Sequence, residues 1–180
     1  MIILLGKTSC GKTLIRDKLV EKGYKPLITY TTRPIRKGEI EDVTYHYISH
    51  EDFNQKVRDG FFAEWKSYTT IEGIWYYGTA KEDLLNVDDK TIIILTPNGY
   101  RDIKDSLPEN SKSILIYSNL NTIRKRLESR GDSKTEAERR IKHDIEDFKG
   151  VENEVDRIVY NNEGDNIDGV VQKIIDFIEK

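Results

Sequence analysis

A glycine-rich segment near the start of the chain carries the strongest chemical signal in the sequence. Gly6 and Gly11 are separated by four residues, and Lys12 and Thr13 follow directly, so the segment fits the pattern G-x4-G-K-[ST]. The glycines permit tight backbone turns that point N–H groups inward at phosphate oxygens, and a following helix adds the partial positive charge of its N-terminus. We therefore expect a nucleoside triphosphate to bind to the whole loop, which comprises Gly6, Lys7, Thr8, Ser9, Cys10, Gly11, Lys12 and Thr13.

Two loop residues have specific chemical roles in this pattern. Lys12 places a positive charge near the β- and γ-phosphates, and the hydroxyl of Thr13 is a ligand for Mg²⁺. Cys10 is the only cysteine, which excludes a disulfide framework and any metal site built from several cysteines. The loop alone leaves ATPases, GTPases, helicases and kinases open.

A second group of polar side chains suits an acceptor that carries a phosphate. Arg33 and Arg36 lie three positions apart beside a proline, and two planar guanidinium groups can grip a monophosphate. Tyr45 and Tyr77 can each donate a phenolic hydrogen bond to the same phosphate. This combination narrows the interpretation toward an enzyme that phosphorylates a small phosphorylated acceptor.

The order of these segments resembles the guanylate kinase family. The resemblance is carried by T-T-R-P-I-R-K-G-E at residues 31–39, then Tyr45, then Glu64-Trp65, then Tyr76-Tyr77-Gly78-Thr79, and it extends from the loop to the last predicted strand. It implies transfer of the γ-phosphate of ATP to GMP or dGMP, with ATP and Mg²⁺ as cofactors. The implied partners are the small molecules GMP and ATP, with no nucleic acid and no membrane.

The resemblance also implies how guanine is read. Glu64 matches the family carboxylate that accepts hydrogen bonds from N1–H and the exocyclic amine, which adenine does not present in that arrangement. Thr29 and Thr79 stand where the family usually has serine, and both keep a hydroxyl. The implied GMP-binding residues are Thr29, Arg33, Arg36, Tyr45, Glu64, Tyr77, Gly78 and Thr79.

Further arginines resemble those of the mobile lid of the family. The segment 126–131 matches the entry to the lid, and Arg140 matches the arginine on its far side. Family arginines at these positions reach the triphosphate on closure, where they stabilise the charge of the transferred group. The resemblance implies ATP contacts from Arg126 and from Asn161, the latter near the adenine. The implied catalytic residues are Lys12, Arg33, Arg130 and Arg140.

The chain departs from the family pattern in two places. Ile94 and Thr96 stand at the end of a strand where the family has an acidic pair, the second member of which helps to organise Mg²⁺ and the acceptor region. This change bears on the catalytic rate more than on nucleotide binding. Extra residues lie between Trp65 and Tyr77, and they predict a longer hairpin tip at 69–74.

Two other functions stay open at this point. One is a guanylate-kinase-like module that binds nucleotide or phosphopeptide with weak or no catalysis. The absence of acids at Ile94 and Thr96 favours this function, whereas the complete Gly11-Lys12-Thr13 argues against it. The other is a related kinase of a different phosphorylated acceptor, such as a ribose phosphate, which leaves Glu64, Thr29 and Thr79 unexplained.

Composition sets wider limits. The chain has 180 residues, of which 37% are hydrophobic and 34% charged, and its net charge of −3 does not favour a nucleic-acid partner. No apolar run approaches the roughly 20 residues of a membrane helix. The apolar opening segment 1–5 is too short for a signal peptide, so we expect a cytoplasmic protein. A monomer and a homodimer both remain possible.

Strand and helix patterns alternate along the chain, which predicts an α/β fold with a mainly parallel sheet. The expected architecture is a P-loop NTPase-type three-layer core at 1–32 and 80–180, with the lid within about 130–141, and a small inserted GMP-binding subdomain at 33–79. Strands are predicted at 2–5, 27–30, 43–48, 91–95, 113–117 and 157–160. Helices are predicted at 12–21, 51–59, 119–130, 136–148 and 167–178.

Overall fold

The chain divides into two units, each built around its own sheet. In the computed structural model, which describes residues 1–70 and 72–180, the first unit contains Met1–Pro26, Asp89–Asn98 and Pro108–Lys180. The second unit contains Leu27–Asp88 and Gly99–Leu107. The inserted subdomain expected at 33–79 lies within this second unit.

The structure contains more helices than the sequence patterns predict, because short helices also form at 81–85 and 97–103. The strands are β1 (Ile2–Leu5), β2 (Lys25–Pro26), β3 (Tyr30–Thr31), β4 (His46–Tyr47), β5 (Phe62–Thr70), β6 (Gly73–Ala80), β7 (Thr91–Ile94), β8 (Lys112–Tyr117) and β9 (Arg157–Tyr160). The helices are α1 (Lys12–Val20), α2 (His50–Arg58), α3 (Lys81–Leu85), α4 (Pro97–Ile103), α5 (Leu120–Ser129), α6 (Lys134–Asp147) and α7 (Ile167–Ile178).

The first unit is organised by a parallel sheet with the strand order β2-β7-β1-β8-β9. β1 is the central strand, and all four of its residues are buried, as expected for a parallel strand covered on both faces. Ile15 and Leu19 of α1 and Val171 and Ile174 of α7 join the apolar cluster on one face of the sheet. The α/β fold with a parallel central sheet is therefore confirmed.

The second unit has a mostly antiparallel sheet with the order β4-β3-β6-β5. β5 and β6 form a long hairpin in register up to Thr70 opposite Gly73. The extended tip predicted at 69–74 includes Ile71, which lies outside the described residues. α2 begins after Ser49, whose side chain accepts a hydrogen bond from the N–H of Asp52, and its Phe53 stacks on Phe62 at a ring-centroid distance of 4.5 Å.

Two strand predictions were wrong in extent. The strand expected at 27–30 is replaced by two short pairings, because the chain pairs with β7 at Lys25–Pro26 and then with β6 and β4 at Tyr30–Thr31, in different sheets. The strand expected at 43–48 is reduced to His46–Tyr47. A turn interrupts it, since Asp42 adopts a left-handed φ of 59° and its N–H donates to the carbonyl of Tyr45.

The lid segment connects two helices that pack on each other. α5 ends at Ser129, Gly131 follows with a left-handed φ of 83°, and Ser133 caps the N-terminus of α6. Ile123 and Leu127 of α5 pack against α6 in one apolar cluster. The lid expected at about 130–141 thus comprises the connection and the first half of α6.

Among the residues described, no helix is both long and apolar enough to cross a bilayer.

The packing of α1 generates a test of the core that supports the phosphate-binding loop. Leu19 is fully buried in α1, whereas Leu14 on the same helix is 51% exposed. We expect Leu19→Ala to lower the free energy of unfolding by about 2–5 kcal/mol, because it leaves a cavity under the sheet. The matched variant Leu14→Ala should change it by less than about 0.5 kcal/mol. Urea denaturation measures both, and equal losses would contradict the burial of Leu19.

Candidate functional site

The phosphate-binding loop of the first unit is shaped by two positions where a side chain does not fit. Gly11 has a left-handed φ of 99°, and a Cβ there would lie 2.4 Å from Nδ2 of Asn161. A Cβ on Gly6 would lie 2.5 Å from Sγ of Cys10 and 2.6 Å from the carbonyl oxygen of Ile116. All three distances are shorter than real Cβ contacts, so the close approach of neighbouring groups requires glycine at both positions.

The lysine of the loop is folded over its backbone. Nζ of Lys12 donates to the carbonyl oxygens of Gly6 and Lys7, the latter at 2.9 Å. Thr13 follows in the first turn of α1 and is exposed. The ammonium group is thereby held against carbonyl oxygens of the loop, within the segment expected to bind phosphate.

Residues from two strand ends and α5 fix the loop from behind. Asn161 is buried, and its Nδ2 donates to the carbonyl oxygen of Cys10 at 2.8 Å. Arg126 donates to the carbonyl oxygen of Ser9 at 3.1 Å and to the hydroxyl of Ser118 at 3.3 Å. Ser118 in turn donates to the carbonyl oxygen of Asn161. Asn161 and Arg126 therefore meet at the loop, together with Ser118, which no pattern in the sequence indicated.

The two lid arginines are placed differently. Arg130 donates to the hydroxyl of Ser9 at 3.1 Å and so reaches the loop. Arg140 instead pairs with acids of its own segment, Glu136 at 2.7 Å and Asp132 at 3.1 Å. Hydrogen bonds from Arg139 first, and then from Arg140, lower the pKa of Glu136 to about 2 despite its burial.

One carboxylate that the sequence patterns did not single out also contacts the loop. Asp144 of α6 accepts a hydrogen bond from the backbone N–H of Thr8. Burial raises the pKa of its carboxyl above the ordinary value, although the bond from Thr8 and the charge of Lys12 act in the opposite direction.

In the second unit, a buried arginine forms the core of a candidate phosphate-binding corner. Arg33 is only 3% exposed, and its guanidinium donates to the carboxylate of Glu39 at 2.7 Å and to the carbonyl of Pro34 at 2.8 Å. It lies 5.5 Å from the ring centroid of Tyr45, which is 6.0 Å from that of Tyr77. Three of the four predicted phosphate ligands are thus neighbours.

Glu39 is a functional residue that the site prediction missed, although it belongs to the motif at 31–39. Its carboxylate accepts from the guanidinium of Arg33, from the backbone N–H of Arg36 and from the hydroxyl of Tyr47, the last two at 2.8 Å each. Burial alone would raise the pKa of Glu39, but these donors lower it to about 2. Glu39 therefore stays ionised and orients Arg33. Arg36 itself lies on the surface, with its guanidinium 6.0 Å from the ring centroid of Trp75.

The predicted base-reading residues form a second corner of the same unit. Glu64 is 8% exposed and Thr79 is fully buried, and the hydroxyl of Thr79 donates to the carboxylate of Glu64 at 2.6 Å. Burial raises the pKa of Glu64, whereas Thr79 and the charge of Lys66 lower it. A Cβ on Gly78 would lie 2.8 Å from the ring of Phe62, so close packing requires glycine there. Thr29 is half-buried, and its carbonyl accepts from the N–H of His46.

The chain is similar along most of its length to known proteins of one family. A sequence model of the family described as guanylate kinase matches residues 1–180. A curated guanylate kinase of Wolinella succinogenes is 34% identical over 161 residues, which cover 87% of this chain and 71% of that protein. One of Fusobacterium nucleatum is 29% identical, with 99% and 95% covered. A crystal structure of guanylate kinase from Anaplasma phagocytophilum has a TM-score of 0.74 at 21% identity, with 99% and 84% of the chains covered.

The Arg33–Glu39 pair predicts a pH-dependent contribution to stability. We expect Glu39→Gln to lower the free energy of unfolding at pH 7 by about 1–3 kcal/mol, because a buried guanidinium loses its charged partner. The carboxyl of Glu39 has a pKa of about 2 when folded and about 4.3 when unfolded. Its stabilising contribution is therefore complete above the unfolded pKa and is lost as the pH falls toward 2.

Urea denaturation between pH 7 and pH 3 measures this effect. The difference between the native protein and Glu39→Gln should narrow as the pH falls below the unfolded pKa. Glu72→Gln, which changes an exposed glutamate in the same unit, is the matched control and should show no comparable loss. A difference that is constant with pH would contradict the ion-pair explanation.

Proposed function

The chain belongs to the guanylate kinase family, and we propose that it transfers the γ-phosphate of ATP to GMP or dGMP, yielding ADP and GDP or dGDP. The observation that carries this proposal is the buried pair of Glu64 and Thr79 in the same unit as the buried Arg33. The buried carboxylate of Glu64 is costly unless donors satisfy it, whereas Arg33 is already paired with Glu39 and keeps further N–H groups for a phosphate. Guanine and a monophosphate are the two halves of one such ligand.

The carboxylate of Glu64 supplies the selectivity for guanine. An ionised carboxylate has about four lone-pair sites, and the bond from Thr79 uses one of them. Guanine presents two adjacent donors, N1–H and the exocyclic amine, whereas the N1 of adenine is an acceptor. A guanine base therefore satisfies Glu64, and adenine would leave the carboxylate facing a lone pair.

The phosphate of the acceptor is assigned to Arg33, Arg36, Tyr45 and Tyr77. Arg33 is already oriented by Glu39, so little conformational entropy is lost when it binds a phosphate oxygen. The rings of Tyr45 and Tyr77 lie beside it, and their hydroxyls are suitable donors. Positioning of the acceptor phosphate is the main contribution of this corner to catalysis.

ATP is assigned to the loop of the first unit. The N–H groups of the loop and Lys12 bind its phosphates, and Asn161 and Arg126 support the loop through the carbonyls of Cys10 and Ser9. The hydroxyl of Thr13 would hold Mg²⁺, which neutralises charge on the phosphates when bound. This donor set fits Mg²⁺, because the ion usually keeps several waters and takes few protein ligands, although the end of β7 offers Ile94 and Thr96 in place of carboxylates.

Transfer then needs no nucleophile from the protein. A phosphate oxygen of GMP attacks the γ-phosphorus of ATP in line, the bond to the β–γ bridging oxygen breaks, and ADP leaves. Lys12, Arg130 and Arg140 stabilise the charge that spreads over the transferred group. Arg140 must exchange Glu136 and Asp132 for the phosphoryl oxygens.

Because both substrates are water-soluble nucleotides, we place the activity in the cytoplasm.

A coupled assay for ADP with Mg²⁺–ATP and a panel of acceptors tests the proposal. GMP and dGMP should be turned over, and AMP, CMP, UMP and ribose bisphosphate should not. Turnover of ribose bisphosphate in place of GMP would identify a kinase of another acceptor. Binding of GMP without turnover of any acceptor would identify the binding module, which the absence of acids at Ile94 and Thr96 favours.

Glu64 gives a sharper prediction within this assay. Glu64→Gln replaces one acceptor oxygen by an NH₂ group, so we expect kcat/KM for GMP to fall by about 10- to 100-fold, as for a lost charged hydrogen bond. The preference for GMP over AMP should shrink by a similar factor. Glu41→Gln, an exposed glutamate in the same unit, is the control. An unchanged preference in a folded Glu64→Gln protein would refute the role of Glu64.

A further inference from the structure

The contact between Asp144 and the loop has no role in the transfer just described. Asp144 lies on α6 four positions after Arg140, within the first unit, and its carboxylate accepts from the N–H of Thr8. Because positions i and i+4 share one face of a helix, the face that carries the lid arginine also carries this acid. Arg140 itself pairs with Glu136 and Asp132, so the residue of this face that contacts the loop is the acid.

The N–H of Thr8 is one of the donors that the loop pattern provides for phosphate oxygens. A carboxylate oxygen is an anionic acceptor of the same kind, and an N–H has a single hydrogen to donate. The carboxylate and a phosphate oxygen cannot both accept the same strong hydrogen bond. A carboxylate and a phosphate that both approach the N–H of Thr8 would also repel each other, because both are negatively charged.

The groups that stabilise the ionised form of Asp144 are the groups expected to bind phosphate. Burial is the main cause that raises its pKa, and the charge of Asp147 adds to it. The groups that favour the ionised form are the N–H of Thr8 and the charge of Lys12, followed by His143. The two leading stabilising groups thus belong to the phosphate-binding loop, and a neutral residue on α6 would avoid the cost of burying the carboxyl.

We propose that Asp144 is an internal competitor for the triphosphate, whose carboxylate holds the N–H of Thr8 until the phosphates of ATP displace it. The inference rests on the proposed function only in that a nucleotide binds to the loop. It assigns to α6 a second role besides carrying Arg140, namely setting the affinity of the loop. The consequence is weaker binding of ATP than the loop alone would allow.

Titration of the protein with Mg²⁺–ATP by isothermal calorimetry, without any acceptor, tests the proposal. We expect Asp144→Ala to lower the Kd for ATP by about tenfold, the effect of removing one charged competitor. Asp144→Asn should give a smaller decrease, because its amide oxygen still accepts from Thr8 but carries no charge. Glu146→Gln removes an exposed acid from the same helix and should leave the Kd unchanged.

Unchanged or weaker binding of ATP by an Asp144→Ala protein with a native melting temperature would overturn the inference. Weaker binding that recovers at higher Mg²⁺ would instead assign Asp144 to support of the metal. Should Asp144→Ala fail to fold, Asp144→Asn carries the same comparison. The two proposals can fail separately. If the Asp144 variants bind ATP more tightly but no acceptor is phosphorylated, the inference about Asp144 stands and the proposed function fails. If GMP is phosphorylated but the variants bind ATP with unchanged Kd, the proposed function stands and the inference about Asp144 fails.

Discussion

The hydrogen bond from Asn161 to the carbonyl of Cys10 is the constraint on which the geometry of the first unit depends. It joins the loop after β1 to the end of β9, two elements far apart in the sequence. Gly11 has to be glycine because the amide of Asn161 approaches it so closely. Since Arg126 holds the adjacent carbonyl of Ser9, the loop is fixed at two consecutive residues, and its N–H groups keep one orientation. A loop that needs no reorganisation can bind phosphate without the entropic cost of ordering.

Three partly or fully buried carboxylates are used in different ways in this protein. Glu39 is paired with Arg33 and accepts two further hydrogen bonds, so its pKa falls and it acts as a fixed support. Glu64 accepts a hydrogen bond from the hydroxyl of Thr79, and burial raises its pKa, so its carboxylate keeps lone pairs for a ligand. Asp144 is held by a donor that a substrate also needs. Burial alone therefore does not determine the role of a carboxylate. The number of its hydrogen-bond donors, and whether a substrate needs the same donors, distinguish a structural carboxylate from one that binds a ligand or competes with it.

Local patterns predicted most of the first unit, whereas Glu64 and Thr79 became candidates only through the resemblance to guanylate kinases. The continuous apolar runs at β1 and β7 predict buried parallel strands, and the stripe of α7 predicts its packing, because these signals depend only on neighbouring residues. The division of 27–30 between two sheets could not be predicted, since it depends on which distant strands offer a free edge. The contact of Asp144 could not be predicted either. An acid on a highly charged helix is expected to be solvated, and only the tertiary structure brings the loop beside it.

The two arginines that we propose for the transferred phosphoryl group, Arg130 and Arg140, are paired with acids in different ways. Nε of Arg130 lies 3.8 Å from the carboxylate of Asp132, and the side chain of Arg130 is 44% exposed, so solvent screens this long ion pair and its loss costs little. Arg140 is bound to Glu136, which is buried and shared with Arg139. Arg139 can compensate Glu136 after Arg140 leaves, which avoids an unpaired buried carboxylate. If Arg140 binds the phosphoryl group as we propose, Glu136 would therefore keep one charged partner, and the ion pair within α6 would be retained.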